Sequence, residues 1–295
     1  YGSMLHLRKK GGTASKKGEV KMGSIFVSEE ACRPLLDALE ATGHTVYTVK
    51  ASDVVYRSIS SHPDIYMCRI KNVLVIDDAI KTEPDIRQIY MEAMEEKADD
   101  FTETPLIPAL YPGETGACIV FELGGIGPEY PFDIPYNAAT TGRFFLHNTK
   151  WTSPSLLDRA RNAGLEIIHV KQGYTKCSCI SAGENAVITA DQGIIRAVEA
   201  YNEMLRQENL QERIQEDIPV DLLTVQPGHV ALKGFDYGFL GGASGCVDDT
   251  VCFNGDLSAH PDFERIQSFL QKHGYRTVFF EGEPLTDIGS VIYLP

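Results

Sequence analysis

The feature that most constrains the fold is an internal repeat, which is marked by a glycine at a fixed distance before a cysteine or an aspartate. Gly164 lies thirteen residues before Cys177, and Gly274 lies thirteen residues before Asp287. Each glycine ends a helix-like segment and is followed by a short β-branched or aromatic run, which is typical of a strand. A fixed spacing between equivalent signals indicates a repeated structural unit.

The same unit can be followed along the rest of the chain. Asp64 and Cys177 each lie fourteen residues before an aspartate at a strand end, and Asp133 lies fifteen residues before Asn148. Five copies of a strand–helix–strand–strand unit result, at spacings of about 45 to 65 residues. One such unit cannot bury both faces of its sheet, whereas five units packed around an axis can.

The sequence therefore predicts an α/β fold, a five-bladed pseudo-fivefold α/β propeller. Residues 1–23 are predicted to be a tag remnant and a basic tail, and residues 24–295 a single domain. Equivalent positions of the repeat should face one another near the axis. These positions are Asp64, Asp133, Cys177, the loop Gly241–Gly245 and Asp287.

Charge and composition narrow the classes of partner. The formal net charge is −14, and because the first 22 residues carry +5, the remainder carries −19. Such an acidic body argues against nucleic-acid binding and suits a small cationic molecule. No apolar run reaches the roughly 18 residues of a membrane span, so no membrane association is predicted. The seven cysteines do not resemble a disulfide framework, which predicts a cytoplasmic location, and exposed blade edges suggest a possible homodimer.

Four motifs carry a resemblance to a known superfamily. They are Tyr130-Pro131-x-Asp133-Ile134-x-Tyr136-Asn137, Lys171-Gln172-Gly173-Tyr174-x-Lys176-Cys177, Tyr237-Gly238-Phe239-x-Gly241-Gly242 and Asp287-Ile288-Gly289-Ser290. With five α/β units around acids and a cysteine, they resemble the pentein, or guanidine-modifying enzyme, superfamily, and most closely an uncharacterised bacterial family of that fold. The superfamily contains arginine and agmatine deiminases, dimethylarginine hydrolases and amidinotransferases. The resemblance implies the pentein propeller and a guanidine-modifying activity that is hydrolase-like or amidinotransferase-like.

The resemblance also assigns some residues and leaves others unmatched. Asp64 and Asp133 match acid positions that hold a guanidinium in the superfamily. Catalytic penteins usually place a nucleophilic cysteine at the start of the last strand and a histidine in the third blade. Here the last blade has Asp287 and Gly289, and the third blade has Cys177. The usual Cys–His pair is therefore not matched.

The residue types by themselves fit a guanidinium site. A guanidinium presents five N–H donors, so several carboxylates can hold it through charge-assisted hydrogen bonds. Attack on its carbon requires a thiolate, so we predict Cys177 as the nucleophile and His62 or His147 as the proton shuttle. Asp64, Asp133 and Asp287 precede Ile rather than a helix, which favours a pocket over a helix cap. The predicted substrate-binding residues are Asp64, Asp133, Asp287, Lys176, Gly241 and Gly242.

Two alternatives stay open. Cys246 follows the Gly-rich loop and competes with Cys177 as the nucleophile, and a buried structural cysteine is the plainer interpretation of either. The predicted function is a cysteine-dependent hydrolase or transferase for a guanidine- or amidine-type small molecule, and the alternative is a non-catalytic pentein that binds a cationic ligand or a protein partner. No metal or cofactor is predicted, because Cys177-x-Cys179 has no partner pair with zinc-like spacing. On an extended strand, Cys177 and Cys179 would point to the same face.

Overall fold

A computed structural model of the chain describes residues 23–98, 118–212 and 218–295. The predicted basic tail lies outside these ranges, apart from Gly23. Within them the strands form five small sheets, one of four strands and four of three. No helix of the described ranges is long and apolar enough to span a bilayer.

The strands and helices of these ranges are as follows. The strands are β1 (Ser24–Ser28), β2 (Thr45–Val49), β3 (Met67–Ile70), β4 (Val73–Asp77), β5 (Thr82–Glu83), β6 (Cys118–Glu122), β7 (Ala139–Thr140), β8 (Phe144–His147), β9 (Glu166–His169), β10 (Cys179–Ala182), β11 (Ala186–Thr189), β12 (Asp221–Thr224), β13 (Ser244–Val247), β14 (Thr250–Phe253), β15 (Arg276–Val278) and β16 (Ile292–Leu294). The α-helices are α1 (Arg33–Glu40), α2 (Pro63–Tyr66), α3 (Ile86–Ala98), α4 (Pro154–Asn162), α5 (Thr175–Ser178), α6 (Gln192–Glu212) and α7 (Phe263–Lys272).

All five sheets share one pattern of strand pairing. In the first sheet, β16 and β1 are antiparallel, β2 is parallel to β1, and β5 is added at the edge. The second to fifth sheets are β3-β4-β6, β7-β8-β9, β10-β11-β12 and β13-β14-β15, each an antiparallel pair followed by a parallel strand. A parallel neighbour requires a crossover connection, and in order of the sheets α1, α3, α4, α6 and α7 lie in these crossovers. The chain is therefore a mixed α/β protein, as predicted.

Buried apolar side chains join each sheet to the next. Five clusters connect the first sheet to the second, the second to the third, the third to the fourth, the fourth to the fifth and the fifth to the first. The last of these contains Val27 of β1 together with Val247 and Cys252 of the fifth sheet. Removal of this apolar surface from water, at about 25 cal/mol per Å², is the main force that holds the sheets together.

The segments that lead into the first strand of each sheet carry the predicted site residues. Their backbones hydrogen-bond to one another: the amide of Asp64 donates to the carbonyl of Gly289 (3.1 Å), and that of Gly242 donates to Cys177 (2.8 Å). The amide of Lys176 donates to the carbonyl oxygen of Asn137 (3.1 Å). A bond from the amide of Ile288 to the carbonyl of Gly242 (3.0 Å) joins these pairs, so that five distant parts of the chain are linked.

Two expectations about local structure were wrong. Cys177 lies in the one-turn helix α5 and Cys179 begins β10, so the two cysteines do not share a strand face. The turn forms because the amide of Ser178 donates to the carbonyl of Tyr174 at 3.0 Å. The expectation that Asp64 is not associated with a helix was also wrong, because Asp64 lies in the short helix α2. This helix begins with Pro63, a residue suited to the first helical position.

Candidate functional site

Asp64 occupies the centre of a buried polar cluster. Its side chain is fully buried, and its Oδ2 accepts hydrogen bonds from Cys177 Sγ (3.0 Å) and Ser290 Oγ (2.8 Å). The other oxygen, Oδ1, is buried and has no hydrogen-bond partner among the described residues. An unpaired buried acceptor costs about 1–3 kcal/mol. The Asp64 carboxylate therefore has an unused position for a donor.

Cys177 is held against Asp64 by Asn137. The amide nitrogen of Asn137 contacts Cys177 Sγ at 3.3 Å, and its oxygen accepts from the backbone amides of Lys176 (2.8 Å) and Cys177 (3.3 Å). Burial raises the pKa of the Cys177 thiol well above its usual range, and the charges of Asp64 and Asp287 raise it further. The thiol of the free protein is therefore protonated at neutral pH and donates to Asp64.

His62 completes a cluster of three different donor atoms. One ligand atom each from His62, Asp64 and Cys177 lie within 4.8 Å of one another, and all three side chains are buried. Neither ring nitrogen of His62 has a hydrogen-bond partner in the described part of the chain, and Nδ1 lies 3.9 Å from Asp287 Oδ1. The structure thus brings the Cys177 thiol close to the imidazole of His62, a proximity that the sequence motifs did not show.

The same three residues offer a nitrogen, an oxygen and a sulfur donor. Such a mixed set could hold a divalent transition metal such as zinc, for which imidazole, carboxylate and thiolate are ordinary ligands. No spacing in the sequence indicated this possibility. His62 and Asp64 are close in sequence, but Cys177 lies on a distant segment.

Asp287 is fixed by backbone donors on the other side of His62. Its Oδ1 accepts from the amide of Gly289 (3.0 Å) and its Oδ2 from that of Phe239 (2.9 Å). Burial raises the pKa of Asp287, the nearby His62 opposes this shift, and the charge of Asp64 adds to it. A side chain at Gly242 would collide with the Asp287 carboxylate, so only glycine allows this close approach.

The glycines that were predicted to bind substrate pack inside the cluster. A Cβ at Gly241 would lie 2.6 Å from the carbonyl oxygen of Cys177, and the Gly242 amide already donates to that oxygen. Gly241 and Gly242 therefore allow the segment before the fifth sheet to pack closely against the segment that carries Cys177. The hydrogen bonds of these two glycines in the structure are formed with other residues of the chain.

Ser290 and Asn137 are site residues to which the sequence analysis assigned no role. Ser290 Oγ lies 2.8 Å from Asp64 Oδ2 and 3.0 Å from the carbonyl oxygen of Gly241, and it accepts from Lys176 Nζ at 3.1 Å. Its backbone has a φ of 68°, a left-handed conformation that is strained for a residue other than glycine. Both residues stand in the quoted motifs, which were the only signal available for them.

Asp133 is connected through Tyr174 to the segment that carries Cys177, because Tyr174 directly precedes α5. Tyr174 donates from its hydroxyl to Asp133 Oδ2 at 2.6 Å, and Tyr56 contacts the Tyr174 hydroxyl at 3.2 Å. Burial raises the pKa of Tyr56, the hydrogen bond with Tyr174 opposes this shift, and the charge of Asp133 adds to it. Asp133 Oδ1 is a second buried acceptor without a partner among the described residues.

His147 and Cys246 form their hydrogen bonds elsewhere. His147 is buried, with Nδ1 2.8 Å from Thr152 Oγ1 and Nε2 3.0 Å from the carbonyl oxygen of Gly173. Burial lowers its pKa to about 4. Cys246 Sγ donates to the carbonyl of Ser181 at 3.5 Å, and burial raises its pKa to about 11. Of the two predicted catalytic histidines, the structure therefore brings His62 to Cys177 and gives His147 other partners.

Comparison with known proteins adds a family and a group of similar folds. Residues 114–292 match the model described as "Family of unknown function (DUF6873)". No curated protein matches the sequence. Among solved structures, the chain is similar to a dimethylarginine dimethylaminohydrolase adduct with 4-chloro-2-hydroxymethylpyridine, at 10% identity and a TM-score of 0.45 over 88% of this chain and 93% of that one.

Two further solved structures are similar at the same level. A mutant DDAH from Pseudomonas aeruginosa complexed with citrulline gives 12% identity and a TM-score of 0.42, over 88% of this chain and 93% of that one. ArgZ, an arginine dihydrolase from cyanobacteria, gives 13% and 0.44, over 90% of this chain and 37% of that one. These are guanidine-modifying enzymes of the pentein fold, as the motifs predicted. Likenesses this distant assign no residue role and no substrate to the chain.

Proposed function

We propose that the chain, which belongs to the family of unknown function (DUF6873), is a cysteine-dependent hydrolase of the guanidino group of a small cationic molecule. The observation that carries this proposal is the buried cluster of His62, Asp64 and Cys177, whose ligand atoms lie within 4.8 Å of one another. It combines a nucleophile, a proton acceptor and a carboxylate, which are the groups that such a reaction needs.

The proposal includes the arrangement of the five sheets as blades around a pseudo-fivefold axis. The five apolar clusters support it, because they join each sheet to its successor and the fifth to the first. In such a ring the segments before the first strands would meet at one end of the axis, and Asp64, Cys177 and Asp287 would lie there.

The unused acceptors favour a cation with several N–H donors. Asp64 Oδ1 and Asp133 Oδ1 are both buried without a partner among the described residues. A planar guanidinium can donate to two carboxylates at once, and charge-assisted bonds of this kind are about twice as strong as neutral ones. The bound cation would satisfy both oxygens and offset the buried negative charge.

The cation would also activate the thiol. Because it offsets the charges of Asp64 and Asp287, it lowers the pKa of Cys177, and the thiol proton passes to an unpartnered nitrogen of His62. The resulting imidazolium faces the Asp287 carboxylate at 3.9 Å. Cys177 Sγ then forms a bond to the guanidinium carbon, and ammonia or an amine leaves with the proton from His62. A water molecule then adds to the same carbon and gives one proton to His62. The C–S bond breaks, His62 returns that proton to the Cys177 thiolate, and the second proton of the water is lost to solvent, which leaves a urea-type carbonyl product.

The test uses chloroacetamidine, which joins a guanidinium-like head to an electrophile. We expect it to label Cys177, and we expect methylguanidine to protect this residue by occupying the same carboxylates. Cys179→Ser is the matched control, since Cys179 is equally buried, has a pKa raised to about 12 by burial, and lies two residues away. Labelling and release of ammonia from guanidino compounds should persist in Cys179→Ser and disappear in Cys177→Ser. Equal labelling of both variants would disprove the role of Cys177.

A second function, binding of a cation without chemistry, is favoured by one observation. The thiol of the free protein is protonated and hydrogen-bonded to Asp64, so it is not poised for attack. A protein of this kind would be stabilised by methylguanidine, would lose this effect in Asp64→Asn, and would release no ammonia. The ammonia assay therefore separates the two functions.

A further inference from the structure

A cavity of about 290 Å³ lies at the far ends of the strands that begin next to the buried cluster. Strand β3 follows the segment of Asp64, and β10 follows that of Cys177. The cavity is lined from the later parts of such first strands, by Arg69 of β3, Thr140 of β7, Ser181 of β10 and Cys246 of β13. All its lining residues are described, and none belongs to the cluster. The cavity is therefore a separate site, about one strand length away, which for a strand such as β3 is about 10 Å.

Arg69 brings a positive charge without a carboxylate partner to the wall of this cavity. Its Nε donates to the carbonyl of Lys71 at 2.5 Å and its Nη1 to the carbonyl of Tyr293 at 2.9 Å. Among the described residues, the arginines that form ion pairs are others than Arg69. A guanidinium has five N–H donors, so three of those of Arg69 have no described partner. The side chain is half-buried, and a charge removed from water without an opposite charge is costly, so an anion in the cavity would offset this cost.

Other lining side chains also have free hydrogen-bond donors. The Tyr275 hydroxyl accepts from the amide of Gly183 at 2.9 Å, and its own proton has no acceptor among the described residues. The Ser181 hydroxyl likewise forms no hydrogen bond within the described part of the chain, where only the carbonyl of this residue accepts, from Cys246. Lys71 Nζ gives one of its three protons to a backbone carbonyl, at 2.6 Å. The wall therefore offers several donors to a ligand that can accept hydrogen bonds.

The balance of charge at the wall also favours an anion. The charged lining residues are Arg69, Lys71 and Glu184. Lys71 and Glu184 are exposed, so solvent screens their charges, whereas Arg69 is half-buried and its charge dominates. The other ionisable lining groups are neutral at neutral pH, because burial raises the pKa of Cys246 to about 11 and that of Tyr275 above its usual range. The wall is thus locally positive in a chain whose formal net charge is −14.

We propose that this cavity is a second ligand site, which binds a phosphate group through the Arg69 guanidinium and the hydroxyls of Ser181 and Tyr275. Arginine and phosphate form strong charge-assisted hydrogen bonds, which are often bidentate. The free donors belong to separate segments of the chain, and a phosphate has more acceptor oxygens than a carboxylate, so it can accept from more of them at once. The site does not depend on the proposed function, because none of its residues belongs to the cluster that would act on the guanidino group.

The experiment titrates the full chain with inorganic phosphate, methyl phosphate and acetate in a calorimeter at constant ionic strength. Phosphate should bind at one site with a Kd of about 1 mM or below. Acetate should bind at least about tenfold more weakly, because it loses at least one hydrogen bond to a charged donor. Methyl phosphate separates the two sources of the group: an affinity equal to that of phosphate supports a phosphate ester as the ligand, and a weaker one supports the free ion. Acetate that binds as tightly as phosphate would overturn the inference.

Three variants locate the bound phosphate. Arg69→Gln removes the half-buried charge and should weaken phosphate binding at least about tenfold. Lys71→Gln and Lys81→Gln form a matched pair that is informative even if Arg69→Gln does not fold, because both lysines are exposed but only Lys71 lines the cavity. Lys71→Gln should weaken binding about threefold, and Lys81→Gln should leave it unchanged. Equal effects of the two lysine variants, or binding that does not saturate, would overturn the inference, because attraction to surface charge would then explain the heat.

Discussion

We predict that His147 alone removes about 3 kcal/mol of folding free energy when the pH falls from 6.5 to 4. The side chain is fully buried. Because the carbonyl oxygen of Gly173 can only accept, Nε2 carries the ring proton and Nδ1 accepts from the Thr152 hydroxyl. A second proton on Nδ1 would place a charge in a buried environment, which is why burial lowers the pKa to about 4.

The direction of this pH effect follows from the difference between the pKa of His147 in the folded protein and the pKa of a histidine in the unfolded chain. In the unfolded chain a histidine takes up a proton below about pH 6.5, whereas His147 in the folded protein stays neutral until about pH 4. Between these values the unfolded state binds more protons and is favoured by about 1.4 kcal/mol per pH unit. The stabilising effect of the neutral imidazole is therefore fully present above pH 6.5 and is lost as the pH falls through this window.

Urea unfolding of the wild type and His147→Gln at pH 7, 5.5 and 4 measures the effect. Glutamine can still donate to the Gly173 carbonyl but does not titrate, and carboxylates that titrate in both proteins cancel in the difference. The wild type should be the more stable protein at pH 7, and its advantage should shrink by about 3 kcal/mol at pH 4. A difference that stays constant over the three pH values would refute the assigned environment of His147.

Two further predictions concern residues around the cluster. Ser290→Gly and Ser290→Ala both lose the contacts to Asp64 and Lys176, but only glycine adopts the φ of 68° without strain. In urea unfolding, Ser290→Gly should therefore be more stable than Ser290→Ala by about 1 kcal/mol. Equal stabilities of the two variants would contradict the strain at this position. Asp133→Asn should reduce the rise in melting temperature caused by methylguanidine, because a neutral amide binds a cation less strongly than a carboxylate does. Asp53→Asn, at a fully exposed position, should leave this rise unchanged. An unchanged rise in Asp133→Asn would show that Asp133 is not part of the cation site.

The regular elements were predictable because their signals are local. Gly164 and Gly274 have φ values of 72° and 84° directly after the ends of α4 and α7, which is the conformation that makes glycine a helix terminator. The repeat spacing that these glycines revealed corresponds to one pattern of strand pairing in all five sheets. Alternation and glycine placement act over a few residues, so a single sequence contains them.

The proximity of His62 to Cys177 was harder to predict from the sequence, for a physical reason. The sequence analysis grouped Asp64, Cys177 and Asp287 by register, which the contacts of these residues support, but it offered no criterion to choose His62 over His147. That choice depends on which ring nitrogens find partners in the folded chain. The Thr152 hydroxyl and a loop carbonyl satisfy His147, whereas nothing in the described residues satisfies His62. Tertiary hydrogen bonds of this kind produce no periodic pattern in the sequence.

The charge balance of the cluster connects cation binding to activation of the thiol. Asp64 and Asp287 are buried near Cys177. Lys176 Nζ contacts Ser290, and among the described residues no Lys or Arg forms an ion pair with either carboxylate. The free protein bears the cost of this negative charge by raising the pKa of both Asp287 and Cys177. Under the proposed function, a bound guanidinium would remove that cost, and the energy gained would be the same energy that makes the thiolate accessible. A site of this kind would favour cations as ligands and would restrict a reactive cysteine to the liganded state.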